Sequence, residues 1–416
     1  MHKVSSVHYF LFMLYLAFLS MLAFIATDMY LPAFKAIESS FNTTPSLVAM
    51  SLTTFLAGLA IGQLIYGPIV QKVGCRNALF LGLFIFLVAS FAISESNSIV
   101  MLNAARFFQA IGACSAAVIW QALVVEKYNS ADAQDIFSSI MPLVALSPAL
   151  APILGAHMQE AFGWQSIFLT LCALALLLVV MTIFLVPSKK IEQDKTSPSK
   201  LNFLTILKNK KFLGNVIIFG SCSGAFFSYL TLWPIVMEQH GFDASAIGLS
   251  FIPQTIMFVI GGYGSRVLIR KTDSKLTLNV LLVLFGACVV AISAVTLIFK
   301  ITTIFPLLII FSILAAANGG IYPIVVNNAL QEFNKNASKA AGIQNFIQTA
   351  ISFGASSLVA AWAMMGDKAI GWGILICSVG VFIGYKVQAK FSHNQILSNS
   401  SMNVSSPDQQ ALQHQK

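Results

Sequence analysis

Two charged residues, Asp28 and Arg106, stand inside the long apolar stretches of this chain, while the other acids and bases fall at stretch ends, in connections or in the termini. An ionisable side chain inside a bilayer is costly enough that a charge kept there marks a functional position. Counting back from the end of the first stretch near Phe34, Asp28 lies about six residues in, roughly 9 Å at the helical rise, and Arg106 lies about seven residues into the fourth stretch from Ile99. The two depths match. A carboxyl group that alternately faces a guanidinium and a dry wall can release and take up one proton; a static ion pair kept for specificity is the other reading.

Neutral polar and aromatic groups surround this pair in the sequence. On a helical wheel Arg106, Gln109, Ala110, Ala113, Ala117, Trp120 and Gln121 share an arc of about 120°. Such a face belongs against a neighbouring helix or a cavity. Close helix packing accounts for the alanines but not for Gln109, Gln121 or Arg106. The second half of the chain carries no charge inside its stretches but has Tyr229, Trp233, Gln254 and Thr255, then Asn318 and Tyr322 one turn apart, then Gln344, Asn345, Gln348 and Thr349. Each alone reads as an interhelical hydrogen bond. Together with Tyr30 they form a candidate substrate pocket of amides and aromatic faces, suited to a neutral, planar heterocycle with hydroxyls.

The elements that must position these groups are membrane helices. The chain has 416 residues, 57% of them hydrophobic and 9% charged, with a mean hydropathy of +0.82. Stretches of the roughly 20 residues needed to cross a bilayer begin near Tyr9, Val48, Ala78, Ile99, Ile136 and Trp164, and again near Gly214, Ser245, Leu276, Thr302, Ala337 and Asp367. The expected fold is an all-α membrane protein of twelve transmembrane helices in two pseudo-symmetric six-helix bundles. The bundles cover 1–187 and 214–391, joined by a basic linker over 188–213 and followed by a disordered tail over 392–416. Two such halves rocking around a midplane site is a transporter layout. A weak internal repeat supports it: Gly67 to Asn77 after the second stretch is echoed by Gly261 to Arg266 after the eighth.

Lys72, Arg76, the linker lysines and Arg266 to Lys275 fall on one side, against Lys35, Lys300 and Lys368 on the other. The positive-inside rule therefore expects both termini in the cytoplasm, and the net charge of +9 needs no nucleic acid to explain it. The first stretch is too long for a signal peptide and is read as a retained span. The six cysteines are scattered without a CxxC and the six histidines are dispersed, so neither a metal nor a redox site is expected. No phosphate-binding glycine loop and no Ser/His constellation is present. An enzyme and an ATP-driven pump are excluded on that basis.

Ala26-Thr-Asp-Met-Tyr-Leu-Pro-Ala33, Arg106-Phe-Phe-Gln-Ala-Ile-Gly112 and Ser147-Pro-Ala-Leu-Ala-Pro-Ile-Leu-Gly155 resemble the major facilitator superfamily, in particular its drug:proton antiporter branch of the Bcr/CflA type. Ala116 to Leu123, Ile140 to Val144, Ile247 to Gly264 and Ala317 to Val326 look like the purine nucleoside transporters of that branch. The resemblance implies a proton-coupled secondary transporter of the bacterial inner membrane that moves purine nucleosides inward, with drug efflux as the alternative. It implies no cofactor beyond the proton gradient, and a monomer whose partners are a small-molecule substrate, protons and lipid. Asp28 and Arg106 are the implied proton-coupling residues. Gating is implied for Gly67, Lys72, Gly74 and Arg76 in the loop after the second span, and for Pro148, Pro152 and Gly155 in the fifth. Gln71 and Cys75 stand where the superfamily usually has an acid and a base, which departs from its usual cytoplasmic gate.

Overall fold

A computed structural model describes residues 6–127, 130–187, 203–299 and 303–404. With no water in hydrocarbon to satisfy backbone amides, runs this apolar must close their own hydrogen bonds, and among the described residues no strand occurs. The spans, in chain order, are Ser6–Asp28, Pro45–Val70, Lys72–Ser94, Ile99–Lys127, Ser130–Phe162 and Gln165–Leu185. Then come Lys210–Gln239, Ile252–Lys271, Ser274–Ser293, Phe305–Leu330, Ala337–Ala361 and Asp367–Val404. They are numbered first to twelfth below. Ten segments are long and apolar enough to cross a membrane among the described residues, and the fifth and eleventh helices pack in among them.

Two spans are interrupted and two others run on into each other, each where the sequence gives a reason. The first ends at Asp28, turns through the short 3-10 segment Leu31–Ala33 and resumes as the helix Phe34–Phe41. Pro32 lies just past the break, and proline disfavours helical backbone in the residue before it. The eighth is led by a separate short helix, Ala244–Leu249, and Pro253 sits in the first turn of the helix that follows. The second and third run on through Gly74, whose φ of +83° lies in the left-handed region open to glycine.

Small residues let the backbones within each half touch. A Cβ on Gly58 would stand 2.2 Å from the Phe107 carbonyl oxygen, locking the second span onto the fourth. In the other half, Gly261 and Gly319 reciprocate: Cβ atoms there would meet the Ala316 and Phe258 carbonyl oxygens at 1.9 and 2.0 Å. The sequence echo around Gly67 and Gly261 is therefore not an echo of environment, because a Cβ on Gly67 would meet nothing within 4 Å.

Two expectations change at the tail and the linker. The twelfth helix continues to Val404, past Ser392 where a structureless tail was expected, and 405–416 lie outside the described residues. The linker expectation falls mostly on 188–202, also outside them; its last part holds the short helix Phe203–Lys208. That helix packs through Ile206 with Phe212 and Val216 of the seventh span, whose own start is tied to the segment after the tenth span: Lys211 Nζ lies 2.7 Å from Glu332, and Asn209 Nδ2 donates to the same carboxylate at 3.2 Å.

Candidate functional site

Asp28 is the last residue of the first helix and 5% exposed. Its carboxylate makes neither an ion pair nor a hydrogen bond among the described residues. It occupies the negative end of the helix dipole, an unfavourable place for an anion. Arg106, 0% exposed on the fourth span, is held without a carboxylate. Nη1 donates to the Ala26 carbonyl at 3.0 Å and to Gln109 Oε1 at 2.5 Å. The Ala26 carbonyl is one of those left over at a helix C-terminus, where a cation is favoured.

The guanidinium is also clamped by rings, its carbon 4.1 Å from the Tyr30 centroid and 4.2 Å from that of Phe55. A desolvated cation–π contact is worth about 2 kcal/mol, so two of them offset much of the burial cost. Nε and Nη2 remain buried and unpartnered. The expected opposition of Asp28 and Arg106 is thus a juxtaposition in one buried pocket, with the guanidinium's free edge open to a carboxylate.

Two residues expected to touch substrate support Arg106 instead. Gln109 is fully buried, accepting from Arg106 and donating through Nε2 to Ser90 on the third span at 2.7 Å. Tyr30 lies under the guanidinium with its hydroxyl 2.9 Å from Ser51. Ala110 is buried against Gly58 of the second span and Ala113 is buried, while Trp120 is buried and Gln121 exposed further along. The polar arc on the fourth span is therefore a packed face at Arg106 that opens only near Gln121.

In the second half the polar groups fall into two tiers. Tyr229, Trp233 and Phe311 pack ring to ring, with centroids 4.9 Å apart for Tyr229 and Trp233 and 3.7 Å for Tyr229 and Phe311. Their polar atoms are satisfied locally: Trp233 Nε1 donates to Ser250 at 2.8 Å, and Gln254 donates to the Tyr229 hydroxyl and the Ser250 carbonyl. This tier is closed. The second tier is half-buried. Tyr322 sits edge-on to Phe219 and Phe258, Gln348 Nε2 donates to Ser223, and Ser352 donates to Ser223 at 2.9 Å.

The four polar residues of the eleventh span diverge. Gln348 turns to the seventh span, Thr349 crosses to Gln63 of the first half at 3.2 Å, Asn345 is exposed, and Gln344 is buried. The side-chain oxygens of Asn318 and Gln344 are buried without a partner. Leaving such an oxygen unpaired costs about 1–3 kcal/mol, a cost that a ligand donor would remove.

The halves meet at the end remote from the termini, termed the outer end here. Ser356 is buried between Thr53 of the second span and Thr231 of the seventh, at 2.9 and 2.8 Å. Lys35 Nζ lies 3.3 Å from Glu238. The Pro152 carbonyl would be 2.9 Å from a Cβ on Gly248, so the fifth span presses on the lead-in helix of the eighth. Gly155 abuts the first span, its absent Cβ 1.6 Å from the Met29 carbonyl oxygen, directly after Asp28. Toward the terminal end, Cβ atoms on Gly67 of the second span and Gly342 of the eleventh would meet nothing within 4 Å.

Around the loop after the second span, Lys72 is exposed. Arg76 donates to the Ile183 carbonyl at 3.3 Å and lies over Phe80 at 5.6 Å. Both of those partners are in Arg76's own half, so its contacts do not bridge the halves, and Pro148 is half-buried. Sequence reasoning passed over Gln63, Ser90, Phe55, Ser356, Lys35 and Glu238. Gln63 alone carried a signal, as an amide inside an apolar run.

Similarity to known proteins fits this geometry. The model of the Major Facilitator Superfamily matches residues 16–357. The chain belongs to that superfamily. It is 25% identical over 359 residues to the bicyclomycin resistance protein homolog of Haemophilus influenzae, covering 84% of this chain and 88% of that one. It is 26% identical over 348 residues to the multidrug transporter MdfA of Edwardsiella piscicida, covering 82% and 84%. A solved structure of a bacterial homolog of the human lysosomal transporter Spinster, inward-facing and occupied, superposes with a TM-score of 0.73 at 13% identity. It covers 94% of this chain and 98% of that one, a likeness of fold.

Proposed function

We propose that this protein is a proton-coupled secondary transporter that exchanges protons for small organic molecules, in the manner its relatives' drug-resistance names suggest. The observation that carries the reading is the pairing of a buried, unpartnered Asp28 at a helix break with an Arg106 whose free edge is unfilled. One carboxyl group that binds either a proton or that guanidinium links protonation to movement of the first span's outer end against the fourth. The fifth span follows, because Gly155 is pressed on the residue after Asp28. The terminal end, remote from the contact of Lys35 with Glu238, is the side the positive-inside rule puts in the cytoplasm.

A second reading, purine nucleosides as the cargo, is favoured by the lining. Tyr322, Gln348, Asn318 and Gln344 provide a half-buried ring, amides and two unpaired oxygens without an acid. A lipophilic cation would call for a carboxylate there, whereas a neutral base and ribose would use the amides. Expression in a bacterial host lacking its own nucleoside and Bcr-type transporters separates the two readings. Resistance to bicyclomycin-like compounds without adenosine uptake supports efflux, saturable uptake of labelled adenosine supports the nucleoside reading, and neither would reject both.

A further inference from the structure

We propose that Lys35 is the moving part of an electrostatic latch at the outer end, closing the two halves through Glu238 and falling back on Glu38 when they part. Lys35 Nζ lies 3.3 Å from Glu238 Oε1 across the halves and 3.5 Å from Glu38 Oε1 one turn along its own helix. Lys35 stands in the first turn of the helix Phe34–Phe41 and Glu238 in the last turn of Lys210–Gln239. A cation is disfavoured at a helix N-terminus and an anion at a C-terminus. Each residue is thus misplaced on its own helix, and the contact between the halves relieves both.

Glu38 changes what opening costs. Lysine three residues from a glutamate on one helix face keeps a partner after the halves separate, so the cation is not stranded. The side chain of Lys35 is 52% exposed and that of Glu238 28% exposed, and exposed pairs bias an equilibrium modestly. A modest bias suits a gate that must open once in every cycle. Beneath the ion pair, the hydroxyl contacts of Ser356 with Thr53 and Thr231 are neutral and exchange for water as the halves part. Neither layer depends on which molecule is carried.

Hydrogen exchange of the full-length protein in lipid nanodiscs tests the latch, read at the amides of Ala244–Leu249 and Ala363–Met365 beside the outer contact. Glu238→Lys is expected to speed exchange about two- to fivefold, the size of an exposed ion pair. Combining it with Lys35→Glu should bring exchange back toward the unmodified protein, which also shows that the single variant is folded. Salt at 1 M should speed exchange in the unmodified protein by screening and have no such effect in Glu238→Gln. Glu38→Gln should slow exchange, because opening then leaves Lys35 without the carboxylate on its own helix. Unchanged exchange in Glu238→Lys, no recovery in the double variant, or faster exchange in Glu38→Gln would overturn the proposal.

Discussion

At the scale of single residues, the coupling we propose rests on a carboxyl group with no partner and a guanidinium with only neutral ones. Asp28→Asn is expected to abolish concentrative transport while leaving substrate exchange between equal compartments, because the amide can neither release a proton nor occupy the free edge of Arg106 as an anion. Counterflow in vesicles checks this. Arg106→Lys should rescue poorly: an ammonium cannot reproduce a planar group that bonds the Ala26 carbonyl and Gln109 while lying between the Tyr30 and Phe55 rings. Gln348→Ala should weaken apparent affinity about two- to tenfold, the worth of one hydrogen bond, with the response to a pH gradient intact. Reduced folded protein at unchanged affinity would make Gln348 a packing residue. Asp28 and Arg106 were legible in the sequence because charge in an apolar run is conspicuous. The ring clamp was not, because Phe55 is one of 34 phenylalanines and only the packing of the second span on the fourth selects it.

At the scale of elements, the spans were legible from hydropathy and their interruptions from proline. Pro32 explains why the first helix stops at Asp28, although that stop could not be read as placing the carboxylate at a helix terminus without the turn in view. The eleventh span shows the limit of periodicity. Its four polar residues read as parts of one pocket, yet Gln348 bonds to the seventh span, Thr349 to the other half, Asn345 is exposed and Gln344 is buried, because each contact depends on which neighbour approaches. The glycines give a sharp contrast. Gly155→Ala should lower the yield of folded protein, since a Cβ would lie 1.6 Å from the Met29 carbonyl oxygen and overpacking costs about 1–3 kcal/mol. Gly67→Ala, facing open space, should leave it unchanged. Size-exclusion profiles of the two variants make the comparison, and equal loss in both would contradict the packing.

At the scale of the whole molecule, the halves are joined at the outer end through hydroxyls and an ion pair. The six-plus-six architecture could be read from the sequence; which end was closed could not, because contacts between halves depend on residues such as Lys35 and Ser356 that look ordinary in a sequence. The central claim is that proton movement and substrate movement share one carboxyl group. Purified protein in proteoliposomes with an imposed pH gradient tests it most directly, with adenosine and a bicyclomycin-like compound as probes. The account predicts that the gradient drives accumulation of at least one probe, that a protonophore collapses it, and that Asp28→Asn exchanges the probe without responding to the gradient. Probe flux indifferent to the gradient, or an Asp28→Asn protein that still accumulates the probe, would contradict it.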